Sequence, residues 1–141
     1  MLSFFVPGRP SPQGSKRSVG GGRFIEASKY LPAWRSAITE TARTASQDQE
    51  WEILHGPVEL QVAFYLQRPS SISKAKRPEP IVPPDIDKLV RAIGDGISDA
   101  GGIWDDDSQI VKVVAWKRYA DEMQTGAFIQ IAPYDTPESL T

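Results

Sequence analysis

Carboxylates gather at both ends of one short stretch of this chain. Asp85 and Asp87 stand in Pro84-Asp85-Ile86-Asp87-Lys88-Leu89-Val90-Arg91, Asp95 follows, and Asp105, Asp106 and Asp107 stand in Trp104-Asp105-Asp106-Asp107-Ser108-Gln109. Three convergent carboxylates suit Mg²⁺, a small hard cation that takes oxygen ligands in near-octahedral geometry and keeps several waters; Mn²⁺ is a plausible substitute. A metal held this way polarises phosphoryl oxygens and lowers the pKa of a bound water, while a neighbouring cation offsets the charge that grows in the transition state. Phosphodiester hydrolysis is the chemistry such a set would do, with Arg91 placed for the last role.

Convergence depends on the elements that carry these residues. From Asp85 onward Ile86, Leu89, Val90, Ile93, Ile97 and Ala100 are spaced as one face of a helix, which Gly101 and Gly102 would end. In that helix Asp87, Arg91 and Asp95 lie at four-residue steps, and Asp85 takes the cap position. A helix of about 15 residues is only some 23 Å long, so a loop returning along it is expected to bring Asp107 beside Asp85 and Asp87.

Plainer uses exist for every piece. Asp85 and Asp87 can cap a helix and complement its dipole, Asp105 to Asp107 can form a solvated turn, and Arg91 can pair with Asp87 or Asp95. Trp104 and Trp116 read as core or sheet-face residues. An Asp-x-Asp pair also occurs in nucleotide-sugar transferases, which need more chain than this one offers. A phosphatase pair would leave a hydrophobic strand, whereas two prolines precede Asp85.

Upstream, Leu2 to Val6 read as a strand that breaks at Pro7, Gly8 and Pro10. Residues 9–23 form a basic, flexible arm with Arg9, Lys16 and Arg17, and Arg23 to Glu26 a short second strand. Leu31, Trp34, Ile38, Ala42 and Ala45 mark a helix over about residues 29–47 with Ser28 as its cap. Val58 to Leu66 alternate as a strand, residues 68–84 make a proline-rich basic loop with Lys74, Lys76 and Arg77, and Ile110 to Trp116 with Ala127 to Ala132 read as a hairpin. Residues 133–141 form a frayed tail. The expected fold is α+β, one domain over residues 1–141 with a mixed β-sheet and two main helices.

Composition narrows the function. The 141 residues include no cysteine and one histidine, His55, which excludes thiolate chemistry, disulfides and multi-histidine metal sites. No apolar run is long enough to span a membrane, and the opening does not read as a signal peptide, so a cytoplasmic protein without membrane contact is expected. Net charge is −2, yet residues 1–78 hold 11 Lys/Arg against 6 Asp/Glu and residues 79–141 hold 5 against 12. A basic half suits an anionic polymer, and an acidic half suits the metal carried to it.

Taken together these features resemble the RusA family of Holliday junction resolvases, dimeric Mg²⁺-dependent endonucleases common in phages and prophages. The resemblance runs along most of the chain. Val6-Pro7-Gly8-Arg9-Pro10 with Lys16 and Arg17 is similar to the family's opening, and Pro84-Asp85-Ile86-Asp87, Arg91, Asp95 and Asp106-Asp107-Ser108-Gln109-Ile110 are similar to its core. The resemblance implies Asp85, Asp87 and Asp107 as catalytic carboxylates holding Mg²⁺ with Asp106 in support, Arg91 as the basic catalytic residue, and branched DNA with a second copy of the chain as partners. Two positions depart from the usual pattern: Lys88 replaces the common asparagine and Arg91 the common lysine. Arginine keeps the charge but cannot give up its proton, so its role is electrostatic. Backbone contacts to DNA are expected from Arg9, Lys16, Arg17, Lys74, Lys76, Arg77 and Lys88. No small-molecule cofactor is expected. Two rivals remain, a non-catalytic DNA-binding protein of the same fold and an interaction module that docks through the proline-rich loop.

Overall fold

The computed structural model describes residues 1–14, 16–20, 23–26 and 29–137, with the backbone alone for 16–20 and 23–26. Six strands and two helices follow in the order β1 (Leu2–Pro7), β2 (Lys16–Gly20), β3 (Arg23–Glu26), α1 (Leu31–Asp48), β4 (Val58–Leu66), α2 (Ile86–Ala100), β5 (Ile110–Tyr119) and β6 (Gly126–Pro133). The main sheet has the order β1-β6-β4-β5, and β2 pairs with β3 in a separate two-stranded ladder. This is the mixed α+β architecture that the patterning called for.

Alternation fixes which side of the sheet is buried. Leu2, Phe4 and Val6 of β1, Leu60, Val62 and Phe64 of β4, and Ala127, Ile129 and Ile131 of β6 form one core with Trp34 and Ile38 of α1 and Leu89, Ile93 and Ile97 of α2. Each large apolar side chain buried there contributes roughly 1.5–3 kcal/mol. Both helices therefore lie on one face. The register Phe5↔Phe128, Phe128↔Ala63 and Ala63↔Trp116 runs a second apolar row across the opposite face, where Phe128 stays 39% exposed.

Three expectations change. The last two strands are no hairpin: β5 lies parallel to β4, whereas β6 pairs antiparallel with both β1 and β4. The reason is connectivity, since β5 reaches β4 through the α2 crossover and so must run parallel to it, leaving the wholly apolar inner face of β6 to fill the sheet's centre. The basic arm is not loop throughout, because Lys16 to Gly20 pair with β3. Part of the supposed frayed tail is held, Val58 pairing with Pro133 and the Tyr134 amide donating to the Pro57 carbonyl at 2.8 Å. Tyr30 takes the cap position of α1, and Ser28 lies outside the described residues. Pro32 falls in the first turn, where its missing N–H costs nothing. No described helix is long and apolar enough to cross a membrane.

The two helices come into close contact at Gly96. A Cβ there would lie 2.7 Å from Ile38 Cγ2, and Thr39 Oγ1 donates to the Gly96 carbonyl at 2.7 Å. Gly96→Ala is expected to lose about 1–3 kcal/mol in chemical denaturation, because the helices must part to admit the methyl group. An unchanged denaturation midpoint would show that Ile38 yields freely.

Candidate active site

Asp85 stands at the N-cap of α2 with extended backbone, yet its side chain makes no capping hydrogen bond. The carboxylate is left facing solvent, with Lys88 Nζ at 3.8 Å. Asp87 lies exposed in the first turn. Along the helix Asp87, Arg91 and Gly94 form one stripe, since steps of three, four and seven residues return nearly to the same side.

After Gly101 the chain turns back along α2. The Trp104 indole donates to Ser98 Oγ at 2.9 Å, and a short 3-10 turn follows over Asp107–Gln109. Asp106 caps that turn by accepting from the Ser108 amide, while Gln109 Oε1 accepts from the amides of Asp105 and Asp106 at 2.7 and 2.8 Å. Gln109 Nε2 donates to the carbonyls of Leu54 and Gly56, both at 2.9 Å, so the turn is tied to the segment before β4. His55 Nδ1 stands 2.8 Å from Asp105 Oδ2. Of the acidic triplet, Asp105 and Asp106 are thus engaged in local bonds.

Asp107 points instead at the helix. Its Oδ2 lies 3.4 Å from the position a Cβ would take at Gly94, so the missing side chain leaves it a seat at mid-helix. Burial, then the charges of Asp106 and Asp95, raise its carboxyl above the ordinary range. Asp106 moves the other way, lowered chiefly by its hydrogen bonds with Ser108. The loop does return along α2, but it delivers Asp107 two turns beyond Asp87 rather than to the first turn. Among the described residues no three His, Asp or Glu side chains stand close enough together to hold a metal ion.

The donors nevertheless suit Mg²⁺ in kind. That ion is commonly held by one or two carboxylates with waters and substrate phosphate completing its shell. Asp107, whose charge is disfavoured by burial and by its acidic neighbours, gains from a nearby cation, and Asp87 lies on the stripe beside it. Asp85, exposed at the N-cap two residues before Asp87, adds a third carboxylate.

The segment after β1 closes over the same helix. The Gln13 amide donates to the Lys88 carbonyl at 3.0 Å, and Gln13 Oε1 accepts from Arg35, which also bridges Asp99 at 2.6 Å. Gly14, at φ +88°, passes so near Arg91 that a Cβ would come within 2.6 Å of Nη1. Arg91 therefore stays exposed with Gly14 passing close to its guanidinium, in the stripe that Asp107 joins.

Two cations organise the proline-rich loop, and the sequence reading passed over both. Arg68 bridges Asp121 at 2.8 Å, stacks 4.1 Å from the Tyr119 ring centroid, and donates to the carbonyls of Arg77 and Pro78. Hydrogen bonding to Asp121 raises the Arg68 pKa, and the guanidinium lowers that of Asp121. Lys117 of β5 donates to the carbonyls of Val82 and Pro84, each at 3.0 Å, immediately ahead of Asp85. A signal was present: Lys117 interrupts the apolar series Val113, Ala115, Tyr119 on the helix side of β5. Between this loop, the ends of β4 and β5 and the segment after β1 lies a cavity of about 510 Å³.

The expected DNA contacts are scattered. Arg9 stacks 3.8 Å from the Tyr30 ring centroid, Lys74 and Lys76 are exposed on the loop, and Lys88 leans toward Asp85. Arg77 is half-buried and donates to Tyr119 Oη at 3.3 Å, which makes it a brace of the loop. The side chains of Lys16 and Arg17 lie outside the described residues.

A mixed sheet backed by two helices thus carries Asp87 and Arg91 on one stripe of α2, with Asp107 seated beside it. The family model for endodeoxyribonuclease RusA matches residues 7–132, nearly the whole chain. The chain belongs to the RusA family. It is also 30% identical over 143 aligned residues to the uncharacterized protein YqaN of Bacillus subtilis (strain 168), a match that covers 92% of this chain and 95% of that protein.

Proposed function

We propose that this chain is a Mg²⁺-dependent endodeoxyribonuclease that resolves four-way DNA junctions, as a homodimer, in recombination and repair. The observation that carries the proposal is the seat of Asp107 against Gly94, on the stripe of α2 that holds Asp87 and Arg91. Asp85, Asp87 and Asp107 would hold the metal, directly or through its waters, and the charges of Asp106 and Asp95 act on Asp107. When bound, Mg²⁺ would polarise the phosphoryl oxygen and activate a water. Arg91 opposes the negative charge that builds on the phosphate, and Arg9, Lys74 and Lys76 meet the DNA backbone without reading its sequence.

Two symmetric cuts need two sites related by a two-fold axis. The helix-free sheet face, with Phe5, Phe128 and Trp116 in one row, supports association with a second copy, as does the edge strand β5, where Val111 and Val113 are 58% and 46% exposed. The deciding experiment incubates purified protein with an end-labelled four-way junction, with and without Mg²⁺. Paired nicks that need the metal support the proposal. Binding without cleavage favours a non-catalytic DNA-binding protein of the same fold.

Arg91 provides a sharper check. Arg91→Ala is expected to lose on the order of 100-fold in cleavage rate while junction affinity stays within a few fold, and Arg91→Lys to keep most of the rate. Equal rate losses in both variants would assign the guanidinium a geometric role under Gly14 instead of an electrostatic one.

A further inference from the structure

The cavity beneath the proline-rich loop is unused by the chemistry assigned so far, and its position is specific. It opens at the carboxyl ends of the parallel strands β4 and β5, the end of a parallel sheet where ligands usually bind. Pro84 forms part of its wall, and the next residue is Asp85. Anything seated there touches the residue that precedes Asp85 in the chain.

Size and lining restrict the occupant. About 510 Å³ falls in the range of small-molecule pockets and is far too narrow for a duplex. Leu66, Tyr119 and Pro80 line it as apolar residues, and Gln67 and Arg9 line it as polar ones, Arg9 with its guanidinium over the neighbouring Tyr30 ring. Flat apolar surfaces with an amide suit the face and edge of a heterocycle, and a guanidinium suits the phosphate attached to it. The walls are also fixed in advance, because Arg68 holds the loop at the Arg77 and Pro78 carbonyls and Lys117 at those of Val82 and Pro84.

We infer that this cavity receives one unstacked base of the DNA substrate, from a nucleotide adjoining the scissile phosphate. The inference rests on the nuclease reading above and adds the part of the substrate that selects the cutting position. A strand whose phosphate is held at Asp85 and Asp87 can present the neighbouring base to Pro84 and the space behind it. Branched DNA offers such bases at low cost, since pairs at a branch point are already weakened.

An abasic scan tests it. Junctions carrying a single abasic nucleotide at successive positions around the mapped cut are measured for affinity without Mg²⁺ and for cleavage with it, using wild type and Val82→Trp. Val82 is half-buried and lines the cavity, and its side chain makes no contact used in catalysis. One position is expected at which losing the base weakens wild-type binding about tenfold. Val82→Trp, its pocket filled, should bind the intact junction about as weakly as wild type binds that abasic one, and should be indifferent to the same base. A flat scan by an enzyme that still cuts overturns the pocket and leaves the nuclease reading standing. No binding or cutting of any junction overturns both. Should Val82→Trp fail to fold, as a thermal melt would reveal, the wild-type scan decides alone.

Discussion

Asp107→Asn is expected to melt at a higher temperature than the wild type in the presence of chelator, and to cut no junction in the presence of Mg²⁺. Both effects come from one carboxylate. Burial and the charges of Asp106 and Asp95 raise its pKa in the folded protein, so folding disfavours the charged form. The sign follows from linkage: the penalty is absent below the unfolded pKa, grows as pH rises toward the raised folded value, and is fully present above it. The amide keeps the shape beside Gly94 and removes the charge, so the difference in melting temperature should open as pH rises through the carboxylate range and then level off. Added Mg²⁺ should stabilise the wild type and leave the variant unmoved, because a ligand that binds only the folded state raises its stability. Cleavage should fall on the order of a thousandfold, the scale of several kcal/mol of lost charge stabilisation. Junction binding should persist or tighten. A variant that melts at the wild-type temperature at every pH would deny the strain, and one that still cuts would remove Asp107 from the metal site; Asp85→Asn and Asp87→Asn face the same cleavage assay.

The second large effect is expected from Lys117→Met, which keeps the length of the side chain and removes its ammonium. Two carbonyls just ahead of Asp85 lose their donor. A hydrogen bond to a charged group contributes about 1.5–3 kcal/mol, and part of that should appear as lowered stability in denaturant. The rate should suffer more. Lys117 acts by positioning, and a displacement near 1 Å at a reacting centre can cost on the order of 100-fold. Junction affinity and KM should change far less than kcat, and Lys117→Arg should recover part of the rate. A variant that loses affinity and rate together would mean that Lys117 meets the DNA itself.

What the sequence disclosed and what it hid have physical causes. Period-two alternation marked β4, and the four-residue spacing of Leu89, Ile93 and Ile97 marked α2, because one face of each is buried. The carboxylates stood out because like charges set so close on one short stretch repel one another unless something offsets them. The pairing of β5 was not, since alternation reports which face of a strand is buried and is silent on its neighbour. Asp107 was expected at the start of α2, yet its stopping point depends on the length of the 101–109 return and on the gap at Gly94, neither of which has a periodic signature. Lys117 and Arg68 were missed for another reason: the side-chain partners of Arg68, Tyr119 and Asp121, lie far along the chain, and both cations act on main-chain oxygens, which any sequence supplies.

That last property bears on how such a protein can change over time. Arg68 and Lys117 grip the proline-rich loop through the carbonyls of Arg77, Pro78, Val82 and Pro84, which every residue type carries. Side chains at the loop's tip, Lys74 and Lys76 among them, are therefore exchangeable at little structural cost. The loop behaves as a cassette clamped at its base. Drift there can alter which DNA is preferred while the acidic stripe of α2 stays undisturbed, so divergence in this segment between relatives carries information about substrate, whereas divergence at Arg68, Lys117 or Asp121 would signal a rebuilt site.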